Sequence, residues 1–167
     1  QRGSTNQAIE DFDIKYYVAW NSIIVPIYQE GELLGSVQRN INKNPKYVNS
    51  KGMDRDRAVF PLDKVQPTDN KVMLVEGLFD AIKAHQQGVR NVVCTFGGNV
   101  SHTQAKTLGA LARTVVIVPD KDTSGIKMAY KTTETLMNLG LKVEYCFAPG
   151  SAKDFGDVND FSQLQYH

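Results

Sequence analysis

Histidine and cysteine are scarce in this sequence, with three His and two Cys among 167 residues. Cys94 and Cys146 stand far apart, so neither a disulfide framework nor a Cys/His zinc site is available. Each lies in an apolar segment, VVCTF or VEYCF, and reads as a buried, reduced thiol of an intracellular protein. No apolar run approaches the ~20 residues of a membrane-spanning helix, and no signal-peptide pattern opens the chain. No membrane partner is expected, and a cytoplasmic location is. Charge of one sign is lacking too: 19 basic against 18 acidic residues leave a formal +1, so no global field points to an anionic partner. Repeats and low-complexity segments are absent. What is present is 41% hydrophobic residues, enough for one core, in one domain or one domain carrying a smaller lobe. A chain that begins with Gln is expected to be cut from a longer one.

The character of the sequence changes near residue 70. Before it, SIIVPIY (22–28) and LLGSVQRN (33–40) are apolar runs joined by QEGE, in which Gly31 suits a hairpin turn. Pro26 places the first run at an edge or a bulge. Residues 41–58 show no sustained period and read as a long surface excursion, while Tyr16, Tyr17 and Trp20 are expected to pack the N-terminal lobe. From Lys71 onward strand and helix alternate. KVMLVE precedes the helix LFDAIKAHQQ, and VRNVVCTF precedes the helix HTQAKTLGALA, which Ser101 and Gln104 open with a capping box. RTVVIVP then leads to IKMAYKTTETLMNL, capped by Thr123 or Ser124, and LKVEYCFAP follows. Val- and Ile-rich strands separated by helices predict a parallel α/β sheet. Met73, Met128 and Met137 read as core fillers, and His85 and His102 as surface or satisfied side chains.

The carboxylates fall at the ends of those strands. Glu76 ends the first, Asp120 and Asp122 follow the third, and Asp154 and Asp157 follow the fourth; Asp80 lies one helical turn past Glu76. In open parallel sheets the carboxyl ends of the strands share one rim, where ligands bind. Acids gathered there repel one another unless they share a proton or hold a cation. Oxygen ligands without His or Cys suit a hard ion, Mg²⁺ or Mn²⁺, and that arrangement fits phosphoryl transfer. Taken singly, Asp80 reads equally well as a helix cap, and a lone D-x-D is common by chance. The combination E-G-x-x-D, D-x-D and K-D-x-x-D is far more specific.

V-E-G-L-F-D (75–80), T-F-G-G (95–98), V-V-I-V-P-D-K-D-T-S-G (115–125) and A-P-G-S-A-K-D-F-G-D (148–157) resemble a TOPRIM domain, the metal-binding fold of DnaG-type primases, type IA and II topoisomerases and some nucleases. The preceding segment is similar to the stretch before TOPRIM in bacterial and phage primases: I-I-V-P-I (23–27), Gly31, Gly35, Arg39 and K-Y-V-N-S (46–50). The resemblance covers residues 20–160 and implies an α/β fold, a Rossmann-like parallel sheet flanked by helices, with a smaller hairpin-containing basic lobe at residues 1–70 and the catalytic domain at 71–167. It implies the catalytic core of a DNA primase, a nucleotidyltransferase that makes RNA primers from ribonucleoside triphosphates on single-stranded DNA. It also implies a replicative helicase partner, engaged through regions outside this chain. Glu76, Asp120 and Asp122 match the family's catalytic acids. Metal ligands would come from these and from Asp80, Asp154 and Asp157. Two departures stand out: Lys121 replaces the usual Gly inside D-x-D, and K-D-F-G-D replaces a D-P-D-like element.

Template or nucleotide contacts are expected from Arg39, Lys46, Tyr47, Asn49 and Lys51 in the irregular segment, and from Lys121 and Lys153 beside the acids. Arg39, Lys43, Lys46, Lys51, Arg55 and Arg57 form a locally basic lobe that the net charge conceals. A solvated surface loop is the plain alternative; Lys121 and Lys153 also suit simple neutralisation of neighbouring acids. Rival readings are a TOPRIM nuclease, a non-catalytic nucleic-acid-binding TOPRIM module, and a haloacid-dehalogenase-type phosphatase with Asp120 as nucleophile and Asp122 as acid/base.

Overall fold

The computed structural model describes residues 6–96, 98–148 and 157–158. After a short helix α1 (Asn6–Asp11), β1 (Lys15–Tyr17), β2 (Ser22–Gln29), β3 (Glu32–Asn40) and β4 (Tyr47–Asn49) form an antiparallel sheet in that order. Glu30 and Gly31 turn the β2–β3 hairpin with φ of 55° and 77°, the double positive φ that a two-residue turn matched to strand twist requires. The Asp63 carboxylate accepts from both turn amides, Glu30 at 2.5 Å and Gly31 at 3.0 Å. Pro26 is tolerated because β1 pairs β2 only as far as Ile24, and a register shift follows at Ile27/Tyr28.

The second sheet is parallel throughout: β5 (Lys71–Val75), β6 (Val92–Cys94), β7 (Thr114–Val118) and β8 (Lys142–Tyr145) lie in the order β6-β5-β7-β8. Helices α2 (Leu78–Gln86), α3 (His102–Leu111) and α4 (Thr123–Asn138) connect them. Alternation sorts the central strands onto two faces. Met73, Val75, Val116 and Val118 join a cluster with α2 and with Val25, Ile27 and Val37 of the first sheet. Val72, Leu74, Val115 and Ile117 join a second cluster with Leu108 of α3 and Ala129 and Leu136 of α4. The N-terminal lobe therefore shares a core with one face of the parallel sheet. Each Val or Ile taken fully from water there contributes about 1.5–3 kcal/mol.

The chain runs from β5 outward to β6, then crosses back over β5 to β7. The strand order thus reverses between β5 and β7, and ligands of open α/β sheets bind at the carboxyl ends beside such a reversal. Glu76 and Asp120 leave the ends of these two strands.

Several local expectations are corrected. The second parallel strand is short, Val92–Cys94, and its edge is extended by Phe60, whose amide donates to Cys94 O while Phe60 O accepts from the Cys94 amide. The segment 41–58 contains β4, held to β3 by the pairs Val37–Asn49 and Arg39–Tyr47. Asp122, rather than Thr123 or Ser124, caps α4: its Oδ1 accepts from the Gly125 amide at 2.8 Å. Met137 is exposed, because the face of α4 that carries it turns away from the sheet, whereas Met73 and Met128 are buried. Tyr16, Tyr17 and Trp20 are exposed as well, at the edge of the first sheet rather than within its core. Other expectations hold: Ser101 and Gln104 form both halves of the capping box, and His85 is a buried side chain whose Nε2 lies 2.9 Å from Val92 O.

Candidate metal and nucleic-acid site

Gly77 follows Glu76 and caps α2 through its extended backbone, so the chain turns from strand to helix within one residue. Asp80 sits at the third helical position, buried, with its carboxylate packed into the space a Cβ on Gly77 would need. Past the end of the neighbouring strand, Gly125 in the first turn of α4 approaches the Asp120 backbone so closely that a Cβ there would lie 2.5 Å from Asp120 O and 2.9 Å from Asp120 N. Two glycines therefore fix where the strand ends carrying Glu76 and Asp120 meet their helices.

Glu76 Oε2 is buried, with no hydrogen-bond partner among the described residues. Burial pushes the Glu76 carboxyl above its ordinary range, and the Asp122 carboxylate pushes it further in the same direction. Acids 46 positions apart in sequence thus feel each other across the reversal between β5 and β7. An orphaned, buried carboxylate oxygen beside a second carboxylate is a costly arrangement that a cation relieves. Its oxygen donors suit a hard divalent ion, and Mg²⁺ commonly takes only one or two protein carboxylates, leaving its other positions to water and phosphate. The pair fits such an ion.

Asp120 is half-buried at the end of β7, while Lys121, Asp122 and Asp157 are exposed. Among the described residues no three His, Cys, Asp or Glu side chains gather into one metal-binding group. Asp154 and Lys153 lie outside the described residues.

The basic residues of the irregular segment meet the acidic rim through α2. The Arg39 guanidinium carbon lies 4.7 Å from the Phe79 ring centroid and 5.7 Å from that of Tyr47, whose ring is 6.1 Å from Phe79. Lys46 Nζ is 5.6 Å from the Tyr47 ring. Phe79 occupies the x of E-G-x-x-D next to Asp80 and was not singled out by sequence, since only the tertiary approach of β3 to α2 gives it a role. Asn49 is half-buried at the end of β4 and Lys51 is exposed in the following turn. Arg55 and Arg57 are engaged structurally: Arg55 Nη2 donates to Phe96 O at 2.5 Å, and Arg57 pairs with Glu32 at 3.0 Å.

Comparison with known proteins bears on the fold and family. The Toprim-like family profile matches residues 73–162. The DNA primase of Lactococcus lactis is 32% identical over 127 residues, covering 70% of this chain and 20% of the relative; that of Halalkalibacterium halodurans is 28% identical over 151 residues, covering 86% and 24%. Among solved structures, the zinc-binding and RNA polymerase domains of the Aquifex aeolicus primase superpose with a TM-score of 0.82 at 22% identity, over 93% of this chain and 49% of that one. A DnaG primase catalytic domain bound to single-stranded DNA gives 0.78 at 20% identity, over 93% and 63%. The chain spans about a fifth to a quarter of the length of these primase relatives.

Sheet order, strand-end acids and glycine turns define a Rossmann-like α/β domain with a carboxylate pair at its topological switch point. The chain belongs to the Toprim-like family. Its N-terminal lobe is similar to the corresponding part of DnaG-type primase cores, a likeness of fold.

Proposed function

We propose that this chain is the catalytic core of a DNA primase, joining ribonucleotides on a single-stranded DNA template with a divalent cation, Mg²⁺ or Mn²⁺. The observation that carries the reading is the buried Glu76 Oε2, unpartnered among the described residues, within electrostatic reach of Asp122 at the β5–β7 reversal. Glu76 and Asp122 hold the ion, with Asp120 beside them on the D-x-D turn and Asp80, Asp154 and Asp157 as further or outer ligands. When bound, a divalent ion activates the attacking 3′-oxygen and neutralises charge developing on the transferred phosphate.

The chain's own residues supply positioning. Asp122 ties the metal rim to α4 because the same carboxylate caps that helix. Asp80 braces the Glu76–Gly77 turn from within α2. Arg39, Lys46 and Tyr47, with Asn49 and Lys51 beside them, form the face that receives template or triphosphate; Lys121 and Lys153 neutralise the acids or touch the triphosphate. A replicative helicase would engage through other parts of a longer protein.

The test is primer synthesis from ribonucleoside triphosphates on single-stranded DNA with Mg²⁺ or Mn²⁺. Ribonucleotide polymers that vanish with Asp120→Ala at unchanged thermal stability support the reading. Strand cleavage without synthesis would replace it with a nuclease.

A further inference from the structure

The exposed aromatics at the edge of the first sheet stand beside its basic cavity. Tyr17, at the end of β1, and Trp20, at the end of the 3₁₀ turn Val18–Trp20, have ring centroids 4.7 Å apart, and they are 47% and 51% exposed. Two large exposed rings in contact on one short turn form the kind of apolar surface that binding sites use. On the other side of the same sheet end, Arg39, Asn42, Lys43, Asn44 and Lys46 line an open cavity of about 400 Å³. Among the described residues none of its three cations has a carboxylate partner.

Hydrogen bonds bind the two features into one unit. The Ser22 hydroxyl lies 2.9 Å from Trp20 O and 2.9 Å from Asn40 Oδ1. Gln38 Nε2 donates to that same Asn40 oxygen at 2.7 Å, and Asn40 Nδ2 donates to Pro45 O at 2.7 Å. The Asn40 amide donates to Lys46 O at 2.9 Å, and the Ile41 amide donates to Asn21 O at 3.0 Å. Tyr16 is tied in as well, its hydroxyl donating to Asn21 Oδ1 at 2.7 Å. Ser22 and Asn40 are buried, so the aromatic turn and the basic loop are held at a fixed separation.

We propose that Tyr17 and Trp20 form a base-stacking platform for single-stranded nucleic acid whose backbone phosphates occupy the Arg39–Lys43–Lys46 cavity. Charge selects the occupant: cations at the end of β3 and in the loop after it, with no carboxylate partner among the described residues, attract phosphates, and adjacent exposed rings bind unstacked bases without regard to sequence. Trp20 and Lys43 thereby acquire roles beyond those of the strand-end acids and of Arg39, Lys46 and Tyr47. The inference rests on the single-stranded template of the proposed function and extends its path to the far edge of the sheet.

Trp20 is the sole tryptophan, so its emission reports the platform directly. Titration of the protein with a thymidine oligodeoxynucleotide is expected to quench that emission, saturating together with the anisotropy of labelled DNA. Trp20→Ala should weaken binding about tenfold, as loss of one stacked base does, and Trp20→Phe should restore most of it. Lys43→Ala should reduce the salt slope of log affinity by about 0.7, the value for one phosphate contact on a single strand. Thermal melts at the wild-type midpoint keep these variants interpretable. Unchanged emission at saturating DNA, or wild-type affinity in Trp20→Ala, would overturn the platform and leave this face to a protein surface. Primer synthesis measured in parallel separates the two ideas. Primers without quenching sink the platform alone, and quenching without primers sinks the synthetic reading while the platform stands.

Discussion

The Arg39 guanidinium stacks on Phe79, 4.7 Å from its centroid, joining the end of β3 to the first turn of the helix that follows Glu76. A cation from the irregular lobe is thus seated two residues from the switch-point glycine, with Tyr47 closing over it from β4. Contacts of this kind are worth roughly 0.5–1 kcal/mol at exposed sites and more when desolvated. Phe79→Leu preserves apolar volume in the core but removes the ring face. Affinity for single-stranded DNA is expected to fall about two- to fivefold by anisotropy, with Mn²⁺ affinity unchanged.

Glu76 gives the pH dependence. Its folded carboxyl is raised above the ordinary range by burial and then by Asp122. A raised carboxyl favours the folded state below its unfolded pKa and loses that contribution as pH climbs through the folded pKa. Above that raised pKa the metal-free protein carries an ionised Glu76 that costs stability. Glu76→Gln should raise the metal-free melting temperature at pH 7, by no more than about 2–4 °C given partial exposure. The gain should shrink toward pH 4. The variant should also lose the upward shift that Mn²⁺ gives the wild type.

Asp122 has two jobs that substitution separates. Asparagine caps a helix as well as aspartate does, whereas alanine costs about 1 kcal/mol. Asp122→Asn should melt close to wild type yet bind Mn²⁺ poorly. Asp122→Ala should lose both the ion and about 2–4 °C. Calorimetry with and without Mn²⁺ distinguishes the two.

Gln104 anchors the segment leading into the parallel sheet. Its Nε2 lies 2.8 Å from Arg55 O, 2.8 Å from Ala58 O and 2.9 Å from Thr95 O, while its Oε1 accepts from the Ser101 amide. Gln104→Leu strands buried carbonyls and should cost about 2–4 kcal/mol in chemical denaturation.

Much of this was legible in the sequence. The runs KVMLV and TVVIV announce central strands because both faces are buried, and Glu76 and Asp120 follow directly from where those runs stop. The capping box at Ser101–Gln104 was legible because both partners lie within one turn. The α4 cap was not, since Asp122, Thr123 and Ser124 are all cap-forming types and only backbone geometry chooses among them. Trp20 and Phe79 escape a reading of the sequence for a common reason. Aromatic residues satisfy a core or a ligand equally well, and no local pattern says which until distant strands meet.

The most direct measurement is the position of Mn²⁺ by anomalous scattering in crystals soaked with the ion. A peak about 2.1 Å from carboxylate oxygens of both Glu76 and Asp122 is the expected result. Density remote from that pair, with Glu76 Oε2 hydrogen-bonded to a protein donor instead, would contradict a cation-centred rim.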